Sequence, residues 1–157
     1  MAVDIGEEAI DRGAALPAGF SAINENIAIT ESGTITLSDI YAVAEITGLK
    51  VGIFYKTNGN TLKCRSVQTI PGAIASGSKV SKAVSLAVEI GDYIGCYFTG
   101  GEIEWSSSGY TGLWYIEEDT FFVDNETEYD YLGGDAVSIG GYLGAAAAGR
   151  SFGFIFG

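Results

Sequence analysis

Histidine is absent from this 157-residue chain, and with it goes every mechanism that needs an imidazole. Ser-His-Asp and Cys-His catalysis are excluded, as are histidine-based zinc sites. Cysteine is nearly absent too, with Cys64 and Cys96 alone. Two are too few for a zinc site, and their spacing is not that of a Cys-x-x-Cys redox pair. Each falls in a β-rich run, so the expectation is two buried thiols acting as small hydrophobes; an inter-strand or inter-sheet disulfide is the alternative. Positive charge is scarce. Eight Lys and Arg face 20 Asp and Glu, a formal charge of −12, which disfavours nucleic acid as a partner because phosphate requires a basic surface. No apolar run approaches the roughly 20 residues that span a bilayer; the stretch 140–149 is too short and too glycine-rich. No membrane partner is expected. The Gly-x-x-x-x-Gly-Lys-Ser/Thr phosphate loop is missing as well.

What the chain does have is a hairpin that reads residue by residue from Leu49 to Val67 around Asn58-Gly59. Asn-Gly between two β-rich runs is the strongest short-range hairpin signal, since a type I′ turn needs positive φ at both central residues. Pairing outward from that turn predicts Tyr55 opposite Leu62, Ile53 opposite Cys64 and Val51 opposite Ser66. One face is then almost wholly apolar, and the other gathers Lys56, Lys63 and Arg65 around Phe54.

The rest of the chain is of the same kind. Residues 1–18 read as an extended lead-in anchored by Ile5, Ile10 and Leu16, with Pro17 at the entry to the first full strand. Between Gly33 and Ile46 the apolar positions change parity after Asp39, which predicts a β-bulge or a strand passing between sheets. Val84, Leu86, Val88 and Ile90 alternate at period two. Turns at Gly91-Asp92 and Gly100-Gly101 separate the strands that follow. No window carries a capped helical stripe. The expected fold is all-β: an antiparallel, jelly-roll-like β-sandwich of about nine or ten short strands. Residues 1–143 form a single domain in this reading. Residues 144–157 are a Gly/Ala-rich linker and an apolar final strand, Ser151 to Phe156. Left unpaired, that strand would aggregate, so Phe154 and Phe156 are expected to join their own sheet or a neighbouring copy's.

Carboxylates are the remaining chemical resource. Glu102, Glu104, Glu117 and Glu118 lie near Trp105, Trp114 and Tyr115. A glycosidase-type pair is possible by inventory, but solvated glutamates beside packing aromatics are the default and no enzyme is expected. A non-catalytic sugar platform would use Trp105, Tyr110, Trp114 and Tyr115. Asp124, Glu126, Glu128 and Asp130 alternate along one stretch, so an extended backbone places all four on one face. Their repulsion calls for compensation. Water and salt are one source, and Ca²⁺ held by these side-chain oxygens is another. The third is the basic hairpin face, Lys56, Lys63 and Arg65, of an identical neighbour.

The run 88–105 (Val-Glu-Ile-Gly-Asp-Tyr-Ile-Gly-Cys-Tyr-Phe-Thr-Gly-Gly-Glu-Ile-Glu-Trp) is followed by Gly-Leu-Trp-Tyr at 112–115. Together they resemble a jelly-roll module of tail, fibre and other virion-associated proteins of tailed bacteriophages. Asp-Ile-Gly…Ala-Ile-Asp-Arg at 4–12 resembles its opening, and the likeness covers most of 4–143. The closing Ser-Phe-Gly-Phe-Ile-Phe is also similar, more weakly, to the last strand of trimeric C1q/tumour-necrosis-type jelly rolls. The phage-like resemblance implies a non-catalytic structural or adhesive virion component that associates with itself. It would assemble in host cytoplasm and be exposed outside the cell, which agrees with the lack of a secretory signal at Met1 to Glu8. The competing expectations are a lectin-like module that binds surface glycans, with or without Ca²⁺, and a subunit of a cell-surface filament. No other cofactor is expected.

Overall fold

The computed structural model describes residues 2–26 and 29–144; the rest of the expected linker and the expected final strand, with Phe154 and Phe156, lie outside the described residues. The chain is all-β, and its strands pair antiparallel. It begins with β1 (Ile5–Gly6), β2 (Ala14–Pro17), β3 (Ser21–Asn24) and β4 (Gly33–Thr47). Then come β5 (Lys50–Asn58), β6 (Thr61–Thr69), β7 (Lys79–Val88), β8 (Tyr93–Tyr97) and β9 (Gly100–Ser106). The last are β10 (Gly112–Ile116), β11 (Glu126–Glu128), β12 (Asp130–Gly133), β13 (Ala136–Val137) and β14 (Ile139–Leu143). Among the described residues fourteen strands replace the expected nine or ten. The extra ones are short pieces that local periodicity does not register, and β4, at 15 residues, is far from short.

Two seven-stranded sheets pack face to face. Sheet I follows the order β1-β14-β4-β9-β13, with β2 beside β9 and β7 beside β4. Sheet II runs β11-β6-β5-β8-β3-β10-β12. The dry layer between them holds Ile35, Ile40 and Ile46 of β4, Val51 and Ile53 of β5, Leu86, Ile94, Cys96, Ile103 and Leu113, all fully buried. A large side chain buried in this way contributes about 1.5–3 kcal/mol. The parity change expected after Asp39 comes earlier, at a bulge between Ile35 and Leu37 opposite β7. β4 does not cross to the other sheet. Instead its first half lies beside β14 and β7, and its second half beside β9. Ile10, expected as an anchor, is 40% exposed, and Pro17 closes β2 rather than opening a strand.

Sheet II also closes on itself. Its two outermost strands, β11 and β12, are separated in sequence by Tyr129 alone, yet β11 pairs with β6 and β12 with β10. One continuous stretch therefore joins both edges and makes a small barrel. Its interior is a second core of Ile23, Phe54, Leu62, Cys64, Trp114, Phe121 and Tyr129. Gly52 and Gly95 are paired with each other inside it. A Cβ on Gly52 would come within 2.8 Å of the Phe121 ring, and one on Gly95 would strike the Ala22 carbonyl oxygen. Glycine inside a strand often marks such a close approach.

This second core corrects the hairpin. Its turn is centred on Gly59-Asn60, with Asn58 opposite Thr61. Gly59 has φ 54°, whereas Asp124 is the only non-glycine residue with positive φ among the described residues. Irregularities at Thr57 and Arg65 then put Tyr55 opposite Lys63, Phe54 opposite Cys64, Ile53 opposite Ser66 and Val51 opposite Gln68. Ile53 and Cys64 thus serve different cores. Asn60 explains the shift: its carbonyl accepts from the Tyr129 amide at 2.9 Å, and its side-chain Oδ1 from Trp114 Nε1 at 3.0 Å. Both bonds draw the turn over the barrel mouth.

Candidate functional site

The base cluster expected on the hairpin is divided. Lys56 sits 5.8 Å from the Trp114 ring centroid, on the barrel side. Arg65 stacks over Tyr55 at 4.3 Å and grips the buried Asp92 with two nitrogens, at 2.6 and 3.1 Å. Lys63 stands opposite Glu126 in the β6–β11 register. The acidic stretch therefore docks on β6 of its own chain. Glu126, Glu128 and Asp130 alternate with half-buried Thr127 and buried Tyr129 and share the exposed outer face, as expected, while Asp124 lies in the preceding turn. Glu126 accepts from Thr57 Oγ1 at 2.6 Å, and Asp130 pairs across the other seam with Tyr115. Among the described residues no group of three or more Asp, Glu or Cys side chains is placed to hold a metal ion. Asp124, Glu126, Glu128 and Asp130, the residues of the Ca²⁺ expectation, form no such group.

The four platform aromatics do not assemble either. Trp114 is fully buried beneath Tyr93, Tyr131 and Lys56, so it has no free face for a sugar. Tyr115, its neighbour on β10, points the other way and packs with Phe20. Trp105 belongs to sheet I and donates from Nε1 to Asp135 at 2.8 Å. Tyr110 lies under the Arg12 guanidinium at 4.7 Å. The glutamates are equally scattered: Glu117 and Glu118 are exposed beyond β10, Glu102 lies on β9, and Glu104 is buried. Glu104 accepts from the Arg12 and Gly13 amides at 2.7 and 3.2 Å.

The surface with most character is one the sequence did not reveal, the outer face of sheet I. The lead-in crosses it as a strap. The Glu7 amide donates to the Ile139 carbonyl at 2.9 Å. Ser138 Oγ donates to the Ile10 carbonyl at 2.7 Å and accepts from Arg12 Nε at 2.6 Å. On one side of the strap is a recess of about 120 Å³ lined by Glu8, Ala9, Ile10, Asp39, Lys79 and Tyr142. The buried Asp39 accepts from Ser81 Oγ and, at 2.7 Å, from Tyr142. Burial, with Asp39 beside it, pushes the Tyr142 phenol up to about 12, so it stays protonated and cannot act as a base near neutrality. On the other side is a recess of about 330 Å³ lined by Gly13, Ala14, Ala15, Val43 and Glu104. With Glu104 committed to main-chain amides, its walls are suited to an apolar side chain. The only advance signal of the first recess was an aspartate within an otherwise apolar alternation; the second had none.

The thiols are free, and they lie in different cores. Burial pushes Cys64, Cys96 and the Tyr129 phenol up to about 12, from ordinary values of about 8.5 for cysteine and about 10 for tyrosine. The unfolded chain releases these protons first, so above about pH 9 the folded state binds more of them and stability falls as pH rises. Each group contributes a loss of up to about 1.4 kcal/mol per pH unit between its unfolded and folded values. Denaturant melts between pH 8 and 11 should therefore weaken steadily, and neither thiol should be alkylated before unfolding. Stability unchanged at pH 11 would contradict this burial.

Comparison with protein-family models, with curated proteins and with solved structures gave no match to this chain.

Proposed function

We propose that this protein is a non-catalytic structural or adhesive building block, a tail, fibre or decoration component of a virion, that self-assembles through its β-sandwich. The observation that carries the reading is the outer face of sheet I. Ile10 at 40%, Leu37 at 36% and Val43 at 39% exposure belong to it, with Ile10 lining the recess beside Asp39 and Val43 the one beside Ala14 and Ala15. Apolar surface gathered on one face is the mark of a contact surface. The buried acids near it are spent on holding the fold: Glu104 caps the strap, Asp39 binds Ser81 and Tyr142, and Asp135 binds Trp105. A net charge of −12 keeps the free subunits soluble, and the phage-module resemblance supplies the context of assembly in a host cell.

Sedimentation velocity over a wide concentration range, with electron microscopy of the same material, tests the reading. Concentration-dependent, regular assemblies are expected. A chain that remains monomeric throughout, or one that binds defined sugars on a glycan array without associating, would overturn it.

A further inference from the structure

The thirteen residues after Gly144 lie outside the described part of the chain, yet the surface around Gly144 bears on where they go. Sheet edges offer them little. Sheet II has closed on itself. On β7 the Ser85 amide donates to Gln68 Oε1, and the Ala87 carbonyl accepts from Ser66 Oγ, both at 2.8 Å, so β6 side chains occupy that edge. β2 ends in Pro17, which has no amide to donate. What stays open is the outer face of sheet I. The last described residue is bonded at its border, where the Gly144 amide donates to the Thr34 carbonyl at 2.9 Å, near the start of β4.

On that face two recesses lie in line along β4. Ile40 and Ala42 belong to the core, while Asp39 lines the first recess and Val43 the second. Four residues of strand, about 13 Å, separate these two positions. The strap crosses between the recesses with Ile10 exposed. The first recess is acidic. Asp39 is buried in it, Glu8 is exposed at its rim, and Asp4 accepts from the Leu143 amide at 2.8 Å close by, against Lys79 at 3.9 Å from Asp39. The second has walls of Ala14, Ala15 and Val43. The segment after Gly144 carries the matching series at the same spacing. Arg150 is the only basic residue after Lys82, Phe154 follows it by four residues, and Phe152 shares their face in an extended chain. Thr34 to Asp39 is about 17 Å along β4, and the six residues 145–150 span up to about 20 Å, so the tether from Gly144 is long enough. We infer that residues 145–157 lie back across the outer face of sheet I of their own chain, with Arg150 at Asp39 and Glu8, Phe152 over Ile10, and Phe154 against Ala14, Ala15 and Val43. Tethering places the segment at an effective concentration in the millimolar range, roughly, so weak contacts suffice. This placement does not depend on the self-assembly reading but bears on it: a segment lying there covers the face through which copies meet.

The test is disulfide trapping in the full-length chain carrying Val43→Cys and Phe154→Cys. Cys64 and Cys96 are buried and do not compete. In dilute solution under mild oxidation, a non-reducing gel should show a cross-link within one chain, and mass spectrometry should identify the joined peptides. The comparison pair is Thr36→Cys with Phe154→Cys, because the exposed Thr36 lies against Gly144 and an undocked segment would meet it sooner. The bond at position 43 should form at least about tenfold faster than the bond at position 36, through the raised local concentration of a docked segment. Adding Arg150→Glu should slow it about tenfold, the scale of one hydrogen bond to a charged group. Ala15→Cys replaces Val43→Cys if that chain fails to fold. Equal rates for the two pairs, indifference to Arg150→Glu, or bonds formed only between chains overturn the placement. The gel reads this whether or not copies assemble, so the self-assembly reading stands or falls separately.

Discussion

Phe121→Ala should lower the unfolding free energy by about 3–5 kcal/mol, the range for emptying a buried phenylalanine site, while Phe122→Ala, one residue along, should cost less than about 0.5 kcal/mol. The contrast follows from opposite surroundings. Phe121 is 1% exposed and meets Phe54 edge-on, with ring centroids 4.7 Å apart at 66°. Beneath it lies Gly52, paired with Gly95. Neither glycine has a side chain that could move into the space left behind, so the cavity would persist and its full cost would be felt. Urea titration of both variants reads the difference, and a shift in tryptophan emission should accompany the first as water reaches Trp114. Total stabilities of domains this size are about 5–15 kcal/mol, so the Phe121 variant is expected near the edge of folding. A loss under about 1 kcal/mol would mean that the closed barrel is not a packed second core.

Asn24→Ala is expected to cost about 3 kcal/mol or more, though alanine removes only a small polar group. Asn24 is fully buried on β3 of sheet II, and its amide reaches across to sheet I. It donates to the Val137 and Ile139 carbonyls at 2.9 and 3.1 Å and accepts from the Val137 amide at 3.0 Å. Truncation leaves three main-chain groups without this partner in a dry interior, at about 1–3 kcal/mol for each left unsatisfied. Asn24→Asp should not rescue, because it turns an acceptor toward two carbonyl oxygens where a donor is needed. Chemical denaturation measures the loss, and hydrogen exchange at the Val137 amide should accelerate first. Unchanged protection there would show that Asn24 does not clamp the two sheets.

The alternation of β7 was legible because that strand has one wet and one dry face, which a period of two reports directly. The hairpin was legible as a hairpin and not in register. Val51, Gly52, Ile53 and Phe54 are all buried, so β5 has no wet face there, and a slip of one residue carries no local penalty. The candidate binding surface was the least legible. Its parts come from the lead-in (Ile10, Gly13 to Ala15), from β4 (Leu37, Asp39, Val43) and from the chain's far end (Ser138, Tyr142), and none is unusual among its sequence neighbours.

Composition alone settled that no imidazole chemistry operates here and that the surface is acidic; local alternation and turn residues settled that the chain is antiparallel β. Those properties depend on residues close together in sequence, where steric preference and burial act within a few positions. Tertiary structure decided which face of each strand is dry, where the hairpin register falls and that sheet II closes into a barrel. It also placed Phe122 outside while burying Phe121. These outcomes turn on contacts between residues far apart in the chain, Asn60 with Trp114 or Phe121 with Gly52, and such contacts exist only once sheet II has closed on itself.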